Sequence, residues 1–276
     1  MLTVRSEQRC FGGTIGFYSH ASVETGTQMK FSVFVPETAK KCAALYYLAG
    51  LTCTDETFMI KAGALRLAAE YGLIVVAPDT SPRGLGLPGE DDDWDFGSGA
   101  GFYLDAEVAP WRTNYRMYSY VVKELPALIE AKFAVRTNRR GIFGHSMGGH
   151  GALVAALRNP QRYRSLSAFA PICNPVAVPW GEKAFGNYLG KDRARWAQWD
   201  ASLLMRDAPY PGAILVDQGL NDQFLAQQLR PDTLEAAAKT SGQALTLRRH
   251  EGYDHSYWFI QTFIADHMRW HAERLA

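Results

Sequence analysis

The chain has 276 residues, of which 47% are hydrophobic and 21% are charged. This ordinary globular composition allows a sizeable core and excludes disordered, fibrous and collagen-like classes. The 29 basic and 28 acidic residues leave a net charge of +1, which excludes a general basic surface for nucleic acid or an anionic membrane.

The amino terminus and the cysteines indicate the cellular environment that we expect. No window approaches the roughly 18 apolar residues of a membrane span, and the first residues lack signal-peptide regions. The cysteines Cys10, Cys42, Cys53 and Cys173 are widely spaced, without a metal-binding pair and too sparse for a disulfide scaffold. We therefore expect a soluble cytoplasmic protein that does not enter a membrane.

Short apolar runs alternate with helical patterns along the chain, which predicts a mostly parallel sheet covered by helices. Residues 14–36 come first and, with a turn at "TGT", indicate an antiparallel hairpin at one edge of the sheet. Continuous runs, typical of strands buried on both faces, follow. They are "ALYYLAG", "GLIVVAPD", "RGIFG", "LSAFAP", "GAILVDQG" and "ALTLRRHEG".

Five helices are predicted between and after these runs. They lie near Phe58–Tyr71, Tyr115–Ala131, Met147–Arg158, Gln223–Lys239 and Tyr257–Arg274. No repeat, flexible linker or change of composition divides the chain, so we expect one domain over residues 1–276. Residues 79–111 form a long Gly-, Pro- and Asp-rich segment whose aromatic residues indicate an ordered, functional loop.

The stretch "GHSMG" predicts a serine nucleophile at Ser146. It follows a predicted strand and precedes a predicted helix, which is the context of the Gly-x-Ser-x-Gly nucleophile elbow. The flanking glycines prevent clashes where the strand turns sharply into the helix. The alternative is a serine in a glycine-rich turn without chemistry.

A serine hydroxyl is a weak nucleophile, so a histidine must accept its proton. His255 lies between the last predicted strand and the last helix, in the order Ser, acid, His that the elbow requires. His250 is expected to be structural, and His150 to be a buried histidine with its hydrogen bonds made. His267 and His271 could bind a metal by their spacing, but a partly solvated helix face is preferred.

Two carboxylates could orient His255. Asp222 lies further into the loop after its strand than Asp217, so it can turn toward His255, and we prefer it. Asp217 remains the alternative, with a structural hydrogen-bonding role. The oxyanion of an acyl intermediate needs backbone donors, for which we predict the N–H groups of Met147 and Leu51.

Several motifs together resemble the S-formylglutathione hydrolase (esterase D) family of α/β-hydrolases over almost the whole chain. They are "LAGLTCTDETF", "APDTSPRG", "WDFGSGAGFYLDA", "PWRTNYRMYSY", "FGHSMGGHGAL", "SAFAPICNP", "DQGLNDQFL" and "EGYDHSYWFI". The resemblance implies Ser146, Asp222 and His255 as the catalytic triad. It also implies Leu51 and Met147 as oxyanion donors.

The resemblance further implies hydrolysis of S-formylglutathione to glutathione and formate in formaldehyde detoxification, without a metal or an organic cofactor. Cys53 is then expected near the active site without a part in the chemistry. The long loop, at Trp94, Phe96, Phe102 and Tyr103, is our candidate for the wall of the acyl pocket or for the glutathione site. The acidic run at residues 90–93 is interpreted as a solvated turn and not as a metal site.

Alternative functions keep the same fold. A general carboxylesterase for short acyl esters has the same triad, and an acyltransferase passes the acyl group to an alcohol. A binding module that retains only the fold usually lacks part of the triad. Homodimers are common in such families, but no feature of the sequence fixes the stoichiometry or the interface.

Overall fold

One mixed sheet of nine strands runs through the structure, a computed structural model that describes residues 2–38 and 40–276. The strands follow the order β1-β2-β3-β5-β4-β6-β7-β8-β9 across the sheet. They are β1 (Leu2–Cys10), β2 (Gly13–Ala21), β3 (Gln28–Pro36), β4 (Cys42–Leu48), β5 (Leu73–Pro78), β6 (Val135–His145), β7 (Ser165–Phe169), β8 (Ile214–Gly219) and β9 (Leu245–His250).

The sheet is antiparallel at its amino-terminal edge and parallel elsewhere. β1 pairs with β2, β2 with β3 and β3 with β5 in antiparallel register, whereas all pairs from β4 to β9 are parallel. The fold class predicted from the sequence is therefore confirmed, including the hairpin at residues 14–36.

Burial explains why the central strands are continuously apolar. Every residue of β4, β5, β7 and β8 is buried, because helices cover both faces of these strands. β9 is only partly buried because it forms an edge of the sheet. β1 forms the other edge and was not predicted, because its polar sequence "TVRSEQR" stays largely exposed and only its backbone pairing defines it as a strand.

The main helices pack on opposite faces of the sheet. α5 packs on β4, β6 and β7, while α10 packs on β6, β7 and β8 and also against α2. No helix within the described ranges is long and apolar enough to cross a membrane. The helices are α1 (Thr57–Lys61), α2 (Leu65–Tyr71), α3 (Met117–Ser119), α4 (Leu125–Lys132), α5 (Met147–Arg158), α6 (Pro179–Tyr188), α7 (Arg193–Trp196), α8 (Ala201–Asp207), α9 (Pro231–Ser241) and α10 (Tyr257–Leu275).

The helices differ from the sequence prediction in four places. The helix predicted over 115–131 consists of α3 and α4 with a π-helical stretch over Tyr120–Glu124 between them. The helix predicted over 58–71 is split into α1 and α2, with Gly63 at a φ of 69° between them. The helix predicted from Gln223 begins only at Pro231, after a π-helical turn over Leu225–Leu229. The short helices α6 to α8 were not predicted, because they lie in a segment without a long apolar period.

The long segment at residues 79–111 is packed and hydrogen-bonded. Its Phe96 ring stacks on Tyr188 and meets Trp111 edge to face. The Tyr188 hydroxyl accepts a hydrogen bond from the Gly97 N–H and donates one to the Ala100 carbonyl. The aromatic residues thus anchor the segment over the carboxyl end of the sheet, as their presence in the sequence indicated.

Candidate active site

Three side chains predicted to act together converge at the carboxyl ends of the parallel strands. Ser146 lies between β6 and α5, Asp222 follows β8, and His255 lies between β9 and α10. The loops at this edge of an α/β sheet are the usual place for a ligand site. The topology therefore brings together residues that are up to 109 positions apart in the chain.

Ser146 is held in a strained backbone conformation. Its φ of 57° and ψ of −120° are rare for a residue with a side chain. A Cβ on Gly144 would lie 2.2 Å from the Gly148 carbonyl oxygen, and one on Gly148 would lie 1.9 Å from the Leu48 carbonyl oxygen. Both positions therefore require glycine, and the resulting tight turn presents the serine at the start of α5.

Asp222 and His255 form a close hydrogen-bonded pair. The His255 Nδ1 lies 2.5 Å from Asp222 Oδ2, which also accepts a hydrogen bond of 3.2 Å from the Gln218 amide. The other carboxylate oxygen accepts a hydrogen bond of 2.8 Å from the Phe224 N–H. These contacts fix the buried carboxylate on the side of the imidazole away from its Nε2, so that Nε2 is available to a substrate or to Ser146.

Ser146 and His255 line the same cavity, which has a volume of about 260 Å³. Among the described residues, no direct hydrogen bond joins the Ser146 hydroxyl to His255. Such bonds are often long in a ligand-free enzyme and shorten when the substrate binds. The arrangement suits proton transfer from the hydroxyl to the imidazole during attack on a carbonyl group.

Two backbone N–H groups beside Ser146 are available to an oxyanion. Met147 begins α5, so its N–H has no acceptor within that helix. The Leu51 N–H has no hydrogen-bond partner in the described part of the chain, and Leu51 lines the cavity. A Cβ on Gly50 would lie 3.2 Å from the Ser146 Cβ, so the chain of this loop passes directly beside the serine.

The loop that carries Leu51 is supported from behind by Tyr103. The Tyr103 hydroxyl donates a hydrogen bond of 2.9 Å to the Ala49 carbonyl, and both residues are buried. A Cβ on Gly151 of α5 would lie 2.5 Å from the Tyr103 ring. Gly151 therefore leaves room for the Tyr103 ring, whose hydroxyl group holds the loop at Ala49.

The four aromatic residues predicted at the pocket wall occupy different places. Trp94 lines the cavity and is 56% exposed. Phe96 packs inside the long segment, and Phe102 and Tyr103 are buried beneath it, so these three rings do not line the cavity. The expectation that they form the pocket wall or the glutathione site is corrected, because they are the buried core that holds the segment in place.

Three aromatic residues that were not predicted from the sequence also line the cavity, namely Trp180, Phe224 and Tyr257. Phe224 and Tyr257 each lie two positions after a predicted catalytic residue, and this closeness in the chain could have indicated that they line the cavity. Trp180 lies at the start of the unpredicted helix α6, and its ring meets that of Trp94 edge to face at 5.6 Å. Only the tertiary structure brings it to the site.

Cys53 lies at the cavity beside these residues, as expected. Burial raises the pKa of its thiol, so the neutral thiol dominates at neutral pH. It makes no hydrogen bond to Ser146 or His255 within the described residues. Its position fits a partly buried bystander that a small thiol reagent can reach through the cavity.

The histidines that flank Ser146 in the sequence are both buried. The His145 ring lies 4.4 Å from that of His255, and burial together with the charge of His255 holds the pKa of His145 well below its usual value. Burial lowers the pKa of His150 to about 4. His150 is fully buried, as predicted, and its ring lies 6.2 Å from that of Phe102.

Asp217 faces away from His255 and belongs to a separate buried cluster. It forms a bidentate pair with Arg248 and lies 3.2 Å from His267 and 3.3 Å from His250. Burial alone would raise the pKa of its carboxyl, but the hydrogen bonds and charges of His267 and Arg248 outweigh it and lower that pKa. Asp217 therefore has the structural hydrogen-bonding role that was its alternative in the sequence-based prediction.

The cluster continues through His267 and His271 of α10. The Ser167 hydroxyl lies 2.8 Å from both histidine rings, and the Ser165 hydroxyl lies 2.7 Å from His271. Both histidines are fully buried, so the expected partly solvated helix face is wrong. No cluster of side chains able to hold a metal ion occurs among residues 2–38 and 40–276.

The acidic run at residues 90–93 is only partly a solvated turn. Asp91, Asp92 and Asp93 are exposed, as expected. Glu90 is instead buried, and its carboxylate accepts hydrogen bonds from the Gly86 N–H and the Tyr115 hydroxyl. Glu90 therefore ties the middle of the long segment to Tyr115, just after its end.

Comparison with known proteins assigns the family. The family model described as putative esterase matches residues 22–270. S-formylglutathione hydrolase of Rattus norvegicus is 55% identical over 98% of this chain and 97% of its own length. The corresponding protein of Paracoccus denitrificans is 53% identical over the same shares of the two chains.

The solved structures agree with these sequences. An S-formylglutathione hydrolase from Agrobacterium tumefaciens superposes with a TM-score of 0.97 at 51% identity and covers 99% of each chain. A ferulic acid esterase at 19% identity and a TM-score of 0.72 shares the fold alone. The chain belongs to the S-formylglutathione hydrolase family of esterases.

Proposed function

We propose that this protein hydrolyses S-formylglutathione to glutathione and formate through a formyl-serine at Ser146. The observation that carries the proposal is sequence identity. Relatives named S-formylglutathione hydrolase are 53% to 55% identical to this chain over 97% of their own length. The paired Asp222 and His255 beside a strained serine support the mechanism. Completion of formaldehyde detoxification follows from this reaction.

Acylation begins with attack of the Ser146 oxygen on the thioester carbonyl carbon. His255 accepts the hydroxyl proton at Nε2, while Asp222 holds the opposite ring nitrogen and stabilises the imidazolium. The carbonyl oxygen becomes an oxyanion and accepts hydrogen bonds from the N–H groups of Leu51 and Met147. The carbon–sulfur bond then breaks, and the glutathione sulfur leaves with the proton from His255 or from solvent.

Deacylation repeats the sequence with water. His255 takes a proton from the water as its oxygen attacks the formyl-serine, and the same two N–H groups stabilise the second oxyanion. The bond to the Ser146 oxygen breaks, the serine recovers its proton from His255, and formate leaves. All the steps use groups of this chain and water.

The cavity favours a small acyl group. Its volume of about 260 Å³ lies below the roughly 300 to 1,000 Å³ of pockets that enclose drug-sized ligands. Trp94, Trp180 and Phe224 line it, and aromatic walls exclude water and strengthen the electrostatic interactions inside. We propose the cytoplasm as the compartment, since reducing conditions keep both glutathione and the four free cysteines in thiol form.

The decisive experiment measures thioester loss from S-formylglutathione with the purified protein and with Ser146→Ala. We expect a loss of about 10⁴-fold or more in kcat for this variant and for Asp222→Asn, as in other serine hydrolases. Asp254→Asn is the matched control, because Asp254 is adjacent to His255 but its carboxylate is bound to Ser256 instead. Full turnover by Ser146→Ala would overturn the proposal.

A short-chain aryl ester measured in parallel separates the alternatives. Ser146-dependent cleavage of the ester with little thioester turnover would indicate a general carboxylesterase. Transfer of the formyl group to added alcohols, with little free formate, would indicate an acyltransferase. We expect the glutathione thioester to be the preferred substrate and water to be the acceptor.

A further inference from the structure

The catalytic cavity opens to solvent, so the glutathione part of the substrate extends from it over one of its rims. A second, open groove of about 470 Å³ adjoins the cavity and shares Tyr257 with it. The groove lies between the end of α1 and the start of α10. Its lining residues are Ile60, Lys61, Tyr257, Trp258 and Gln261.

The groove carries a positive charge without a partner. No carboxylate lies within 4 Å of the Lys61 ammonium group in the described chain, and the group is 6.0 Å from the centre of the Tyr257 ring. The neighbouring Glu56 is paired with Arg5 instead. Lys61 is therefore free to bind an anion.

The groove also has an unusual apolar surface and a fixed shape. Trp258 is 75% exposed and Ile60 is 68% exposed, although both are large apolar residues. The Gln261 amide donates a hydrogen bond of 2.6 Å to the Lys61 carbonyl and so joins α10 to α1. The exposed apolar walls fit the methylene groups of a peptide, and the joined helices keep them at a fixed distance.

The opposite rim of the cavity has the wrong charge for an anionic ligand. Trp94 and Trp180 form this rim, and the nearby Lys183 ammonium is already bound to Asp93 and Asp95. Two carboxylates against one ammonium group leave this side negative. A ligand with net negative charge is therefore favoured on the Lys61 side.

We propose that the tripeptide of S-formylglutathione lies in the groove of Lys61 and Trp258, with one of its carboxylates bound to the Lys61 ammonium group. This inference rests on the proposed function and adds the site of the leaving group. Glutathione carries two carboxylates and one ammonium group, so its net charge complements that of the groove. The sulfur then lies at the Tyr257 end, beside Ser146 and His255.

Lys61 and the groove are remote from the reacting bonds. Interactions with a remote part of the substrate that are equal in the ground state and transition state lower KM without changing kcat. The main effect of altering Lys61 is therefore expected in KM for the glutathione thioester. A neutral aryl ester has no carboxylate that could bind Lys61. The ratio of kcat/KM for the thioester to kcat/KM for the ester therefore isolates the contribution of the groove.

The test uses Lys61→Ala and Lys61→Glu, with Lys61→Arg and Lys132→Glu as controls. Lys132 is an exposed lysine at the end of α4, just before the amino end of β6, whereas the cavity lies at the carboxyl ends of the strands. We expect the ratio of kcat/KM for the thioester to kcat/KM for the ester to fall about 3- to 10-fold for Lys61→Ala and about 10- to 30-fold for Lys61→Glu. Both decreases should be smaller at high salt, because salt screens the interaction between the charges. Lys61→Arg and Lys132→Glu are expected to keep the wild-type ratio.

A second measurement tests binding in the groove without relying on the proposed thioester hydrolysis. Glutathione is added as an inhibitor of aryl-ester hydrolysis, which requires no thioester turnover. We expect competitive inhibition of the wild type that weakens by the same factors in the Lys61 variants, and weaker inhibition by glutathione dimethyl ester. Equal inhibition of wild type and Lys61→Glu, or an unchanged ratio for Lys61→Glu, would overturn the inference while leaving the hydrolase function intact.

Discussion

The hydrogen bond from Tyr103 to the Ala49 carbonyl provides a sharp test of how the oxyanion site is positioned. Tyr103→Phe removes only the hydroxyl group and leaves the buried carbonyl without its donor. An unsatisfied buried polar group costs about 1 to 3 kcal/mol, so the free energy of unfolding is expected to fall by about that amount. The change keeps the ring that packs against Gly151.

The effect on catalysis follows from the distance along the chain. Ala49 lies two residues before Leu51, whose N–H is proposed to bind the oxyanion. Complete loss of one such donor costs about 100- to 1,000-fold in turnover, and a misplacement of about 1 Å costs about 100-fold. We expect Tyr103→Phe to lower kcat about 10- to 100-fold with little change in KM, because only the transition state uses this N–H.

Tyr210→Phe is the matched control. The Tyr210 hydroxyl also donates a buried hydrogen bond to a backbone carbonyl, that of Tyr163, at 2.7 Å. Both residues lie before the amino ends of their strands, at the edge of the sheet away from the cavity. Urea unfolding and steady-state kinetics on both variants are the assays. Similar losses of stability with wild-type kcat in both would refute the positioning role of Tyr103.

Three further predictions concern the elbow, the buried histidines and Cys53. Gly148→Ala is expected to abolish activity, since its Cβ would lie 1.9 Å from the Leu48 carbonyl oxygen; Gly186→Ala, whose Cβ meets nothing closer than 3.9 Å, should keep full turnover. Burial holds the pKa of His271 well below its usual value, so the unfolded chain binds a proton that the folded chain does not, and stability falls as the pH drops below about 6.5. His271→Gln should make this fall between pH 7 and pH 5 shallower in urea unfolding, and an unchanged slope would contradict the assignment. Cys53→Ser should retain most turnover and lose inhibition by alkylating reagents, whereas persistent inhibition would point to another cysteine.

Much of the site was visible in the sequence because its residues follow strands. Ser146 was marked by its glycines, and Asp222 and His255 by their places in loops after predicted strands. Chain order allowed both aspartates, and the place of Asp222 further into the loop favoured it without excluding Asp217. The structure separates them geometrically, because Asp217 is bound to Arg248 and His267 while Asp222 contacts His255.

The errors have a common physical cause. Phe96, Phe102 and Tyr103 were assigned to the pocket wall because aromatic residues in a long loop suggest a binding surface. Such a loop must also bury apolar area to remain ordered, and these rings form its core. The same applies to His267 and His271, since helical spacing does not reveal that serine hydroxyls of β7 satisfy both rings.

The sequence by itself determined the parallel sheet, the elbow at Ser146 and the order of the catalytic candidates, because strand burial and glycine-dependent turns are local properties. Only the tertiary structure decided which groups line the cavity and which charges remain unpaired. Trp180 and Lys61 belong to elements distant in the chain from Ser146, and their places depend on how α6, α1 and α10 pack over the sheet. Long-range packing therefore assigns the surroundings of the proposed reaction, whereas local sequence indicates its chemistry.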